Sequence, residues 1–364
     1  MTNKTIDELR LKIDEIDGNM ARLFEARMDV CREIAEYKQA HALPICDPAR
    51  EAAVIAAASA RVSDPVMREY YTSFVGDVMK TSRAYQTRLM DGARVVYSGA
   101  EGAFAHIAAL RLFPGSHPTP RPDFSAACHA VETGEFDCAV LPIENSYAGD
   151  VGSVMDLIFS GSLYVSKMIE LEVDHSLLGL PGATLDGIRT VVSHPQALEQ
   201  CAEFLRERGI TPVSFSNTAL AAKHVLELGD SSVAAIASAE SAEIYGLETL
   251  AERINAERAN TTRFAVLSRS LSMPSPEARS GHEHFLLVFT TKNEAGALAQ
   301  PLNIIGAHSF NMRGLRSRPL RGSAWSYYFL VEADGNIASY DGQNMLRELG
   351  AVCSELKLVG AYTD

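Results

Sequence analysis

Three cations are spaced along one edge of a single long helical pattern: Arg10 follows Leu9, Arg27 stands on the apolar repeat itself, and Lys38 follows Tyr37. Asp47 and Pro48 then open a second helix, with Arg50 and Glu51 close to its positive end. Ser82 and Gln86 share a face of a third helix at i, i+4. Fixed cations beside neutral donors suit a small dicarboxylate, and no nucleophile–base pair is evident among them. Position 27 is the sharpest clue. The apolar positions run Ile6, Leu9, Ile13, Ile16, Met20, Leu23, then Val30, Ile34 and Tyr37, the spacing of a helix with one buried seam. The slot between Leu23 and Val30 holds a guanidinium, which cannot lose its charge and is costly to bury unpaired. Either an acidic side chain meets Arg27, or the bundle is built around an anionic ligand.

A second set of polar residues stands where short strands end, the usual place for ligands in open α/β sheets. Gly99-x-x-Gly102 follows a strand at Arg94–Tyr97 and leads into a helix through His106 and Leu110. Pro142-Ile143-Glu144-Asn145-Ser146 closes a buried strand that begins at Asp137, and Ser193-His194-Pro195 closes another that begins at Thr190. Ser232–Ala237 and Thr262–Leu267 read as two more strands, and Leu163–Ser176 is an extended stretch suited to crossing between two lobes.

The elements that must position these groups fall into three segments. Residues 1–91 are helical, with one long helix from near Thr5 to about Ala40, then helices opened by Asp47-Pro48 and Asp64-Pro65. Such helices make a poor core for one chain, so a helix-swapped dimer is expected. Asp91-Gly92 marks the first boundary. Residues 93–270 alternate strand and helix, and a Ser- and Pro-rich stretch, Ser270–His282, reads as a linker. Residues 283–364 read strand (His284–Thr291), helix (Gly296–His308), strand (Phe310–Ser317), strand (Trp325–Ala333), helix (Ser339–Leu349), strand (Ser354–Ala361), the βαββαβ order of the ferredoxin-like unit.

Bulk properties narrow the field. A chain of 364 residues exceeds one compact core, and a net charge of −13 argues against a nucleic-acid partner. The six cysteines are scattered without C-x-x-C, and read as buried free thiols of a reducing compartment, with no metal site. Met1–Glu15 is charged and lacks a signal-peptide core, and the longest weakly polar run, Ala52–Ala60, is too short to span a bilayer. A cytoplasmic protein with no membrane partner and no cofactor is expected. No G-x-G-x-x-G follows a strand, which excludes a nicotinamide-dependent dehydrogenase.

Over residues 5–89 the spacing resembles the all-helical chorismate mutase family: Arg10, Arg27, Lys38, Asp47, Arg50, Glu51, Ser82 and Gln86 each fall on a family active-site position. The resemblance implies a three-helix domain in an intertwined homodimer or higher homo-oligomer, acting on chorismate. Arg10 (from across the dimer), Arg27 and Arg50 would hold carboxylates with help from Ser82. Glu51 would hold the hydroxyl, and Lys38 and Gln86 would donate to the ether oxygen.

The middle segment resembles prephenate dehydratase. The motifs are Gly99 to His106, Pro142 to Ser146, Ser193-His194-Pro195-Gln196, Asn217-Thr218-Ala219 and Asn260-Thr261-Thr262-Arg263-Phe264. The family's fold is two α/β lobes around a cleft, like periplasmic binding proteins. The resemblance makes Thr262 the donor at the leaving hydroxyl of prephenate, with Asn145, Ser193, Gln200 and Thr218 orienting the substrate and Arg263 supporting the loop. His194 is either a general acid or a residue that fixes its turn. Ala103 and Ala105 stand where the family usually carries hydroxyls, so backbone amides at the helix N-terminus are expected to replace some carboxylate contacts.

The last segment resembles an ACT domain, which in family dehydratases binds L-phenylalanine through G-A-L and E-S-R-P motifs. Gly296-Ala297-Leu298 is intact, but the second motif reads Arg316-Ser317-Arg318-Pro319, a charge reversal at Arg316 where an effector's ammonium would be held. Gly296, Ala297, Leu298, Ser317 and Arg318 are the expected effector contacts. The whole reads as a bifunctional enzyme of phenylalanine biosynthesis taking chorismate through prephenate to phenylpyruvate. The alternatives are a two-lobed binding protein, or an ACT-type amino-acid sensor with inactive enzyme domains. Arogenate competes as a substrate, but the attached mutase favours prephenate.

Overall fold

The computed structural model describes residues 5–256, 260–273, 282–320 and 326–363. The chain divides into two compact units, Met1–Arg94 and Val95–Asp364.

The first unit holds α1 (Ile6–Ala40), α2 (Pro48–Ser59) and α3 (Pro65–Asp91). Their starts follow from local chemistry. Thr5 and Glu8 form a capping box, Asp47 accepts from the Arg50 amide at 3.0 Å, and Asp64 accepts from the Met67 amide at 2.9 Å, each aspartate preceding a proline. α1 packs on α3 through Cys31 and Ala35, which are buried. The expected seam is present as a pattern, but one chain does not bury it. Leu9, Ile13, Ile16, Met20, Leu23, Val30 and Tyr37 are all exposed, Leu23 at 71%. The reason is the face: α1 packs through the side that carries Cys31 and Ala35, and Val30 and Tyr37 stay exposed beside them, off that side.

The second unit begins with β1 (Val95–Ser98), α4 (Phe104–Leu112), β2 (Thr119–Arg121), α5 (Phe124–Glu132), β3 (Cys138–Asn145), β4 (Gly149–Asp150), α6 (Gly152–Ser160) and β5 (Tyr164–Glu172). A second lobe follows: β6 (Ser176–Gly179), β7 (Thr190–Ser193), α7 (Pro195–Gln200), α8 (Ala202–Glu207), β8 (Thr211–Ser214), α9 (Thr218–Leu228), β9 (Val233–Ala237), α10 (Ala239–Tyr245) and β10 (Glu248–Ala251). β11 (Thr261–Ser268) returns to the first lobe. The C-terminal run is β12 (Glu283–Thr290), α11 (Ala299–Ala307), β13 (Asn311–Pro319), β14 (Tyr327–Asp334), α12 (Tyr340–Val352) and β15 (Glu355–Thr363). The βαββαβ order expected from the sequence is observed, although Gly296 to Leu298 precede α11 rather than belong to it. Trp325, the expected start of the third strand, lies outside the described residues.

Two sheets result. The smaller runs β10-β6-β9-β7-β8, and the larger runs β13-β14-β12-β15-β5-β11-β3-β1-β2, with β4 paired to β3. The extended stretch Leu163–Ser176 does cross between lobes, contributing β5 to one sheet and the first residue of β6 to the other. Residues 93–270 and 283–364 lie within one compact unit, and strands from both share the larger sheet. β15 pairs with β5 at Gly360 and Val165, and Leu286, Val288, Tyr328 and Leu330 join Ala139, Leu141 and Ala265 in one core. Most of the expected linker, residues 274–281, lies outside the described residues. The cysteine reading is corrected at two positions: Cys46 is exposed and Cys353 half-buried, whereas Cys31, Cys128, Cys138 and Cys201 are buried. Among the described residues no helix is long and apolar enough to cross a membrane.

Candidate active sites

In the helical unit Arg27, Cys31 and Ala35 follow one another at four-residue steps, which turns the Arg27 guanidinium toward α3 and away from the exposed stripe. It donates to Ser82 Oγ and points at Cys31 Sγ at 3.8 Å. Lys38 Nζ donates to the Ile45 carbonyl at 2.6 Å. Both cations, with Asp47, Arg50, Glu51, Ser82 and Gln86, line one cavity of about 610 Å³. Among the described residues neither Arg27, Lys38 nor Arg50 forms an ion pair. Of the two acids in the cavity, Asp47 caps α2 and Glu51 is taken by Arg83, a residue the sequence reading passed over although it adjoins Ser82. Ser82 and Gln86 are buried, and Gln86 Oε1 has no hydrogen-bond partner among the described residues. Arg10 does not join them. It pairs with Asp7 in solvent, and 17 residues of helix put it about 26 Å from Arg27.

In the second unit a cavity of about 630 Å³ opens where β1 and β3 end and β11 begins, lined also by the second lobe through residues that follow β7 and those that open α9. Asn145 and Thr262 are a cross-strand pair of β3 and β11. Asn145 Oδ1 accepts from the Tyr147 and Ala148 amides at 3.0 and 2.8 Å, which fixes its amide orientation. Its Nδ2 donates to Thr262 Oγ1 and Asn260 Oδ1, both at 2.8 Å. Asn260 Nδ2 passes the chain to Gln200 Oε1 at 3.3 Å, which also receives His175 Nε2 at 2.8 Å. Thr262 therefore accepts from Asn145 and keeps its own proton, for which the described residues supply no acceptor. Burial lowers the His175 pKa against the opposing pull of Gln200, so the ring is neutral with Nε2 protonated and Nδ1 bare.

Two helix N-termini face the same cavity. Ala103 caps α4 without a side-chain bond, so the first amides of α4 are left to other acceptors. Thr218 opens α9 behind Asn217, whose Oδ1 accepts from the Ala219 and Leu220 amides. His194 lines the cavity, yet its Nδ1 accepts from the Gln196 amide at 3.3 Å, the arrangement of a residue fixing its turn. His106 likewise closes the glycine turn, accepting from Gly102 N at 3.1 Å. Asn145, Gln200, Thr218 and Thr262 thus meet in the cleft, whereas Ser193 and Arg263 do not. Ser193 is fully buried, its hydroxyl donating to the Ile236 carbonyl at 2.6 Å. Arg263 neighbours Thr262 on a strand and so points to the opposite face, where it meets Glu332 at 2.5 Å. Asn260, Asn217 and His175 are cleft residues that sequence reasoning did not assign. Asn260 stood inside the quoted Asn-Thr-Thr-Arg-Phe motif, and His175 in the crossing stretch.

The C-terminal residues are placed unevenly. Gly296, at φ +82°, Ala297 and Leu298 form the turn into α11, with Leu298 against the module's own core. Ser317 lies on β13. Arg318 does not stand open to an effector: it reaches back to Asp156 of α6 at 2.9 Å, and Tyr328 Oη donates to the same carboxylate. Glu332 is 2% exposed. Burial alone would raise its pKa, but hydrogen bonds from Arg263 and Tyr362 hold it down at about 2.

The family model for chorismate mutase type II matches residues 9–87, and that for prephenate dehydratase matches residues 95–271. The bifunctional chorismate mutase/prephenate dehydratase of Neisseria gonorrhoeae is 33% identical over 367 residues, covering 99% of this chain and 98% of that protein. A solved prephenate dehydratase from Arthrobacter aurescens, in complex with L-Phe, is 28% identical with a TM-score of 0.68, covering 74% of this chain and 90% of that one. GqqA, described as a novel type of quorum quenching acylase, is 32% identical with a TM-score of 0.68, covering 74% of this chain and 97% of that one.

Proposed function

We propose, from the premise that this chain belongs to the bifunctional chorismate mutase/prephenate dehydratase family, that its two cavities are the two successive active sites. The chain is an enzyme of phenylalanine biosynthesis with both activities, and a sensor with inactive enzyme domains is not favoured. What supports the site assignment most is that Arg27, Lys38 and Arg50 converge on one cavity without an ion pair among the described residues, its own carboxylates being engaged at the α2 cap (Asp47) and by Arg83 (Glu51).

In that cavity the substrate's carboxylates meet Arg27 and Arg50, and Lys38 and Gln86 donate to the ether oxygen as it gains charge. The Claisen rearrangement needs no proton transfer and no covalent intermediate. Freezing the reactive conformer and stabilising the developing charge are sufficient. The remaining cation is Arg10 of a second copy, brought in when two chains bury the α1 stripe against each other.

In the cleft of the second unit, the amides opening α4 and α9 take the carboxylates of prephenate. Loss of CO₂ sends electrons into the ring and expels the hydroxyl, to which the Thr262 hydroxyl gives its hydrogen bond or proton. Phenylpyruvate, CO₂ and water leave. Asn145 holds Thr262, and Gln200 keeps its amide nitrogen for the substrate. The βαββαβ module, whose sheet order matches a ferredoxin-like ACT domain, binds L-phenylalanine near Gly296, Ala297, Leu298 and Ser317, as the L-Phe complex of the Arthrobacter relative supports. The enzyme works in the cytoplasm as a homodimer or larger homo-oligomer.

The test is to supply chorismate and follow prephenate and phenylpyruvate, with and without L-phenylalanine. Both products should form in order, and L-phenylalanine should slow the second step. Consumption of neither substrate would contradict the assignment.

A further inference from the structure

The register that pairs Thr262 with Asn145 also pairs Arg263 with Glu144, one step along the same two strands. The pleat puts the first pair on the cleft face and the second on the back of the sheet. There the C-terminal module meets it. Arg316 of β13 donates from Nη2 to Glu144 at 2.5 Å and from Nε to Asp150 at 2.7 Å. Glu332 of β14 takes both terminal nitrogens of Arg263, at 2.5 and 2.8 Å. Arg263 reaches Glu144 at 3.3 Å, and Arg316 lies 3.8 Å from Glu332. Four charges of alternating sign therefore close a ring. Two members come from the strands that carry Asn145 and Thr262, and two from the C-terminal module. Asp150 adds a further hold, because β4 pairs with β3 at Glu144 and Asn145.

We infer that this ring is a positioning device for the dehydration step, with Arg316 acting through Glu144 on the Asn145–Thr262 pair. The inference rests on the reading that those two residues act on prephenate. Arg263 already faces Glu144, Glu332 and, at 3.7 Å, Glu170, so a glutamate at position 316, the residue that the E-S-R-P motif would place there, would set a fourth carboxylate around its single guanidinium. An arginine balances the ring instead, so in this chain position 316 serves the active site of the neighbouring lobe and not an effector's ammonium group. The geometry also matters energetically: a partly buried charge stripped of its partner must find another or move, and Glu144 adjoins Asn145 at the end of β3, where a shift of the strand is felt by the Asn145–Thr262 pair.

The test uses the full-length protein with prephenate added directly, and chorismate consumption as an internal control. Arg316→Met should lower kcat for prephenate about 10- to 100-fold, the scale of a small misplacement of reacting groups, with KM within about twofold and mutase turnover unchanged. Glu144→Gln should fall similarly, and the double variant no further, because both remove one device. If Arg316→Met does not fold, Arg316→Gln is judged by the same criteria. Wild-type kcat in the folded position-316 variant overturns the inference, as do additive losses in the double variant or a parallel collapse of kcat, KM and melting temperature. Thr262→Ala serves as reference. Retained turnover there sinks the site reading and the ring with it. Its loss beside an unaffected Arg316 variant sinks the ring alone.

Discussion

At Gln86 a neutral donor stands buried beside Ser82, in the same cavity as Lys38, with Oε1 unpartnered among the described residues. A carboxamide can donate to an ether oxygen at any pH, whereas a carboxylate repels it until protonated. Gln86→Glu should therefore cut mutase turnover at neutral pH by about 10²-fold or more, the scale of losing one transition-state donor. Activity should return as pH falls toward the carboxylic range, about 4.3 for an unperturbed glutamate. A pH–rate profile on chorismate checks this, and a variant equally active at neutral and acidic pH would refute the role. Other residue roles were only half legible in the sequence. Asn145 and Thr262 stood in motifs and do meet, but a motif names residue types and not faces. Strand alternation requires adjacent residues such as Thr262 and Arg263 to point oppositely, so one of them had to leave the cleft. Ser193 and His194 part for the same kind of reason, the serine ending a buried strand and the histidine opening a helix.

At the scale of elements, α1 is the least satisfied part of the molecule. Ile13 and Ile16 are 56% and 52% exposed, on a helix whose own unit covers only Cys31 and Ala35. Burying one such side chain contributes about 1.5–3 kcal/mol, and the stripe carries several. Ile16→Asp, about three turns from Arg27, should leave prephenate turnover intact. It should shift the protein toward monomer in sedimentation velocity and lower mutase turnover at least tenfold. An unchanged oligomeric state with unchanged mutase activity would refute the shared-stripe reading. The helix boundaries were legible because Asp47-Pro48 and Asp64-Pro65 state them locally. The cover for the stripe was not, because one sequence does not say which chain supplies it. Short strands escaped for a different reason: β8 is exposed along its whole length, so it leaves no apolar run to read.

Across the whole molecule, the feature least legible in the sequence is the packing of the last two segments against each other. A Ser- and Pro-rich stretch reads as a boundary, yet the contacts that join the modules are distant in sequence and invisible to composition. Gly360 approaches β5 so closely that a Cβ there would stand 2.6 Å from the Val165 carbonyl oxygen. Arg318, Tyr328 and Lys357 all fasten to α6 or the residue that ends it. The central claim is that each of the two compact units carries its own active site. The most direct measurement assays Arg27→Leu and Thr262→Ala on chorismate and, separately, on prephenate. Arg27→Leu should fold, leave chorismate untouched and still convert prephenate to phenylpyruvate. Thr262→Ala should convert chorismate and accumulate prephenate, and an equimolar mixture of the two should restore phenylpyruvate from chorismate. Loss of both activities in either folded variant, or unfolding of Arg27→Leu as a purely structural role for that guanidinium would require, would contradict the claim.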